Sequence, residues 1–378
     1  MKINTLKTLL KGIILLTGLL GHCIKSVYAA SPAPTYTMTT FARPAYPNAI
    51  GTDYFGNVYI DSDGVRKYDK ATGTNSVITG SGANAVSGAM AIAVVPNPFV
   101  SALSATAPHS VYTADQNNRI YKLVYNAQTK TYTQTVIATN EMSPAVGATY
   151  ETGAKFNAGF GAGKVRAIGA IAVDSQQNIF IADKESHVIW KLAPKTNAAY
   201  TLTVFAGTLG EPGVPATTGT KFRNPMGLRF DNTNNLFVAD AGNKVIQKLA
   251  FKANGDLNTA TVVVGAIKNP VGFQDGGSPL NDCLSNPRGL AFDSNSSAGL
   301  YITDGDVVKY VSFNSNASKS TIKLFAGTFN PAIPKNPDYS GVPTGTALLG
   351  LAGVSVDPTG IVYVLECNGW SVRKIVKK

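Results

Sequence analysis

The sequence predicts an all-β fold, a six-bladed β-propeller of four-stranded antiparallel blades, and three observations carry that prediction. First, a 24-residue unit recurs without a gap: GAIAVDSQQNIFIADKESHVIWKL over 169–192, MGLRFDNTNNLFVADAGNKVIQKL over 226–249 and AGVSVDPTGIVYVLECNGWSVRKI over 352–375. Second, three more stretches fit with small changes, over 48–68, 91–123 (a divergent copy) and 288–311, which makes six units. Each unit exposes sheet faces that only stacked neighbours can bury, so the repeat dictates architecture before any single residue is read. Third, the sixth unit stops at Lys378 after its third strand, whereas 36–41, YTMTTF, has the pattern of a fourth strand without its first three. Pairing that N-terminal strand with the last three closes the ring and removes exposed sheet edges.

Taken in chain order, residues 1–30 predict a secretory signal peptide: Lys2, Lys7 and Lys11, an apolar run over 13–20, then small residues ending at Ala29 and Ala30. The run is too short to span a bilayer. Leu20, Gly21, His22 and Cys23 faintly suggest a lipoprotein site, but His22 is too bulky and polar for the position before the cysteine. The expected mature chain, 31–378, is one propeller domain without an internal linker, secreted or periplasmic, with no stable membrane insertion after cleavage.

Within the fourth unit, 227–230 alternates small and apolar residues, 231–234 is turn chemistry, 236–239 is a buried run, Gly242 and Asn243 turn again, and 245–249 alternates. Fourth strands are expected over 76–79, 133–138, 202–206, 261–265 and 321–326.

Residues 1–30 hold four lysines and no acid, so the net charge of +11 becomes +7 on cleavage. Charged residues make up 15% of the chain against the usual ~25%. No block of like charge and no basic helix occurs, which speaks against nucleic acid as a partner. Cys283 and Cys367 would lie in a disulfide-permitting compartment, where they either bridge or remain two thiols.

The units resemble NHL repeats, on Pro225, Gly227, Asp231, Phe237, Ala239, Asp240, Val245, Ile246 and Lys248. The segment 272–293 also resembles the glycine- and aspartate-rich linkers of secreted bacterial NHL proteins. The resemblance implies a propeller serving as a binding platform or, less often, as a hydrolase or lyase.

Function is sought where units differ. The recurring acid after the second strand is Asp115, Asp183, Asp240, Asp304 and Glu366, with Ser62 in the first unit. A ring of carboxylates could collect cations, yet recurrence favours turn chemistry, because folding rules obey a repeat's symmetry and active sites break it. Lys67, Lys122, Lys191, Lys248, Lys309 and Lys374 recur on the third strand and read as solvated blade surface.

The channel mouth should be lined by Asn48, Met90, Gly169, Met226, Arg288 and Ala352. A gluconolactonase-type enzyme needs carboxylates there for a divalent metal, and none of the six is an acid. A zinc lyase needs several imidazoles, and the mature chain keeps only His109, expected in a loop, and His187, expected in a blade turn. No catalytic residue, metal site or cofactor is therefore assigned.

Loop length does break the symmetry. Long connections over 140–168, 207–224, 266–286 and 327–351 are expected on one face. They carry Tyr150, Phe156, Phe160, Lys164, Arg166, Phe222, Arg223, Phe273, Lys335 and Tyr339. The phenylalanines 156, 222 and 273 also suit capping of the blade core. Arg166, Arg223, Arg288 and Tyr339 are the binding candidates, for a protein or glycan ligand on a monomeric, non-enzymatic scaffold. The alternative is a gluconolactonase-like hydrolase or a lyase at the channel mouth, with Asn48, Asp275 and Asp282 as its first candidates.

Overall fold

The computed structural model describes residues 36–62, 64–79, 86, 89–95, 109–139, 149–150, 154–155, 165–195, 200–215, 220–267, 272–294, 296–329 and 342–378. The expected signal peptide and Tyr339 lie outside the described residues. Six antiparallel sheets form the six blades of a propeller. Blade 1 comprises Ile50–Thr52, Val58–Ser62, Gly64–Tyr68 and Asn75–Val77. Blade 4 comprises Pro225–Phe230, Leu236–Asp240, Val245–Phe251 and Leu257–Val264.

Closure follows the expected route. Tyr36–Ala42 pairs antiparallel with Ser371–Lys377, in the register Met38 opposite Ile375. Met38 is fully buried, against Ile375, Val364 and Leu348. A second contact seals the same seam: Ile50, Val58 and Ile60 of blade 1 pack on Tyr363, Leu365 and Val372 of blade 6.

The apolar core is thus distributed. Each of six clusters sits between two consecutive blades, as where Phe180 of blade 3 meets Phe230 and Leu249 of blade 4. Alternation along every strand sends one side-chain set to each neighbouring blade, which is why no blade can fold alone. Small residues let the innermost strands converge. A Cβ on Gly227 would overlap the Arg288 carbonyl oxygen, so the blade 4 to blade 5 approach requires glycine there.

Two of the long connections also reinforce outer edges. Thr149–Tyr150 adds to the outer strand of blade 3, and Ala154–Lys155 pairs parallel with that of blade 2. Similarly, Gly277 bridges Ile322 on the outer strand of blade 5, and Leu324 N–H donates to Asp275 at 2.9 Å. These segments cover sheet edges as well as reaching over a face.

Candidate functional site

First-strand starts and second-to-third turns share one face, called the upper face below. The recurring acids organise it. Asp183 accepts the backbone N–H groups of Arg166 and Ala167, which end the loop entering blade 3, and those of Glu185 and Ser186 in its own turn. Asp240 takes the Arg223 N–H at 2.7 Å, Asp304 takes those of Ser285 and Asn286, and Glu366 takes that of Leu349. Each acid is completed by a donor from the adjoining third strand, and the donor differs in every blade: Tyr121, Trp190, Gln247, Lys309 and Arg373. In blade 1 Ser62 reverses the sense, donating to the Ala45 carbonyl. All five acids are buried; Asp183, Asp240, Asp304 and Glu366 clamp the incoming loop, and Asp115 holds its own turn at Asn117 and Arg119. Their oxygens are engaged by donors, as the turn-chemistry reading expects, with the incoming loop added.

The lysines divide. Lys122, Lys191 and Lys248 lie partly exposed over the rings of Tyr112, Phe180 and Phe237 directly across the strand pair. Lys309 departs from expectation. It is fully buried, with Nζ 2.7 Å from Asp282, 3.0 Å from Asp304 and 3.1 Å from the Cys283 carbonyl. The blade 5 turn is short, so Lys309 sits opposite Ile302 and corresponds to Gln247 opposite Val238; Tyr310 takes the surface place. A one-residue slip changes the face.

That pairing also corrects the enzyme alternative. Asp282 is held inside blade 5 by Lys309, and Asp275 is tied to the outer strand, so neither reaches the channel. Burial pushes the Asp282 carboxyl up, against the pull of Lys309.

All six expected mouth residues line the axial cavity: Asn48, Met90, Gly169, Met226, Arg288 and Ala352. Its volume of about 80 Å³ admits ordered water or a small ionic group. Below Arg288, Arg229 from blade 4 also faces this space. Desolvation pulls its guanidinium down to about 10, still charged at neutral pH. Sequence reading passed over Arg229, although the aligned units show it: the same column holds Gly51, Ala93, Ala172, Ala291 and Ser355. Among the described residues, no three His, Cys, Asp or Glu side chains gather as a metal group would require.

Arg166 and Arg223 are exposed on the upper face and flank His187. His187 Nδ1 accepts the Asn224 N–H at 3.1 Å, so the neutral ring carries its proton on Nε2 and links the blade 3 turn to the loop entering blade 4. Burial lowers the His187 pKa, Asp183 opposes, and the two arginines add to the lowering. Arg288 lies apart from that pair, beside Cys367. Burial pushes the Cys367 thiol up, while Arg288 pulls it down and Asp61 pushes it up.

The Cys283–Cys367 bridge is not formed. Cys367 is a free thiol whose Sγ donates to the Pro47 carbonyl, in the ring-closing segment, at 2.9 Å. Phe222 and Phe273 fold into the core and are not on the surface. Phe156 lies outside the described residues.

His109 does precede the second strand of blade 2, which begins at Ser110, but it is not at the surface. It is buried between blades 1 and 2, with Nε2 3.3 Å from Asp53 and the Tyr59 hydroxyl at 3.2 Å. Burial lowers its pKa, opposed by Asp53, and burial raises that of Tyr59. Near the mouth, a pair that sequence reading also missed comes together: Tyr46 and Trp370, both exposed, with ring centroids 4.6 Å apart.

No family profile and no curated protein matches the sequence. Among solved structures, the chain is similar to an auxiliary nutrient binding protein from Bacteroides ovatus, with a TM-score of 0.60 at 14% identity over 92% of this chain and 78% of that one. A protein of unknown function from Bacteroides thetaiotaomicron gives a TM-score of 0.59 at 14% identity, over 90% and 76%. A gluconolactonase from Xanthomonas campestris gives 0.50 at 12% identity, over 89% and 88%. At such identities the likeness establishes the shared propeller fold. Among the described residues, no helix is long and apolar enough to cross a membrane.

Proposed function

We propose that the chain is an exported, NHL-type propeller acting as a non-enzymatic binding scaffold for a protein or glycan, through its upper face. Export rests on the signal-like residues 1–30, and the NHL assignment on the repeat columns. One observation carries the functional reading: cationic and aromatic side chains break the ring's symmetry on that face, while the recurring acids are spent on holding loops. Arg166, Arg223 and Arg288 are the principal contacts, with Tyr339 as a further candidate.

The hydrolase reading draws on the gluconolactonase likeness. It is the weaker one, because a divalent cation at the mouth would face the guanidinium groups of Arg229 and Arg288 rather than carboxylates. Probing arrays of glycans and secreted proteins with the folded chain tests the proposal. The triple variant Arg166→Glu, Arg223→Glu, Arg288→Glu should lose the captured ligand without unfolding; undiminished capture would remove this face from consideration.

A further inference from the structure

Tyr46 and Trp370 meet across the seam where the ring closes. Tyr46 belongs to the segment between the N-terminal strand and blade 1, and Trp370 to the second-to-third turn of blade 6. Their rings incline at 54°, and the residues remain 68% and 47% exposed, which is unusual for side chains of this size. The backbone fixes them there. Both residues have positive φ, 47° and 45°, a region bulky side chains rarely adopt.

At Trp370 that conformation belongs to the repeat. The matching turns hold Asn118, His187 and Lys244 at φ 56°, 60° and 59°. Glycine takes this place in blades 1 and 5, at Gly64 and Gly305, and Asn118 is buried, whereas blade 6 places an exposed indole there.

Polar groups adjoin the pair. Asn48 Nδ2 donates to the Tyr46 carbonyl, and Asn48 also lines the channel mouth. Cys367, in the Trp370 turn, bonds to Pro47, and Arg288 lines the same channel mouth as Asn48. Arg288 Nε is buried and has no hydrogen-bond partner among the described residues, a donor waiting for an acceptor.

We infer that Tyr46 and Trp370 form a stacking platform for a pyranose ring bearing an anionic group, whose charge is met by Arg288. This rests on the upper-face reading above. A sugar presents a flat face of C–H bonds and an edge of hydroxyls, which suits amphipathic aromatics with a polar tip. A protein partner would need roughly 800 Å² of complementary surface, far more than two rings among polar neighbours supply. A carboxylate or sulfate suits Arg because its fork of donors can engage two oxygens together.

Tryptophan fluorescence supplies the test. The chain has two tryptophans, and Trp190 is fully buried, so Trp370 alone is open to an added quencher. The probes are tetragalacturonate, its methyl ester and a sulfated galactan tetrasaccharide. Binding should shield Trp370 from acrylamide, with either acidic sugar at least ~10-fold tighter than the neutral ester, the size expected of one charge-assisted contact.

Tyr46→Ala should weaken binding ~10-fold or more, and Trp370→Ala, followed by calorimetry, likewise. Arg288→Ala should erase the preference for the acid. The relative response to carboxylate and sulfate identifies which anion is read. No binding of any probe overturns the platform alone, since the upper-face reading also admits a protein ligand. Binding that survives both aromatic substitutions but falls with Arg166→Glu and Arg223→Glu overturns the platform and keeps the face. Binding unchanged in all five variants overturns both.

Discussion

Trp190 donates its indole N–H to Asp183 at 3.1 Å, and the other contacts of the same carboxylate hold the loop that enters blade 3. A fully buried indole thus orients the acid that fixes the upper face. Asp183→Ala strands several buried donors at once, each costing about 1–3 kcal/mol. Urea unfolding should show a loss of about 3 kcal/mol or more, and a loss below about 1 kcal/mol would contradict the clamp.

Lys309 tests the corrected register of blade 5. Lys309→Met leaves Asp282 and Asp304 buried without their cation and should cost about 3–5 kcal/mol in the same assay. Adding Asp282→Leu removes one stranded charge and should recover part of that loss. A Lys309→Met variant as stable as the parent would place this lysine back on the surface.

Ring closure depends on Met38, which is fully buried at the seam. Met38→Ala should destabilise by about 2–5 kcal/mol, as for other truncated core side chains. A chain starting after Ala42 would expose the Ser371–Lys377 edge, and light scattering should then report association. Unchanged stability and a monodisperse truncated chain would show that the other seam contacts suffice.

The histidines predict a pH dependence. Burial lowers the pKa of His109 and of His187, so the unfolded chain takes up protons first as pH falls. Their contribution is complete above the ordinary histidine value of ~6.5 and declines as pH falls from there towards the folded pKa. Asp240, pushed up to about 6 by burial, works in the opposite sense. The diagnostic is therefore a comparison: between pH 7 and 5, His109→Gln should lose stability less steeply than the parent in thermal melts. Parallel slopes would contradict it.

The blades were legible because their evidence is local. Alternation, turn residues and an ungapped period place Leu236–Asp240 and Val245–Phe251 within a residue or two, and the mouth follows from that register. Contacts between distant segments left no such trace. His109 on Asp53 and Tyr46 on Trp370 are set by how blades meet, and no spacing in the chain encodes either. Lys309 was misread because a shortened turn shifts the phase of the strand after it, and Arg229 because a single cation in an alternating strand looks like an outward residue until the six units are aligned in columns.

The central claim is that the repeat builds a scaffold and the upper face does the binding. Amide hydrogen exchange with the tightest array ligand bound tests it most directly. Protection is predicted in the upper-face turns, at 165–168, 222–225 and 367–371, with the lower-face turns at 54–57, 175–178 and 232–235 unchanged. Protection confined to the lower-face turns would contradict the account.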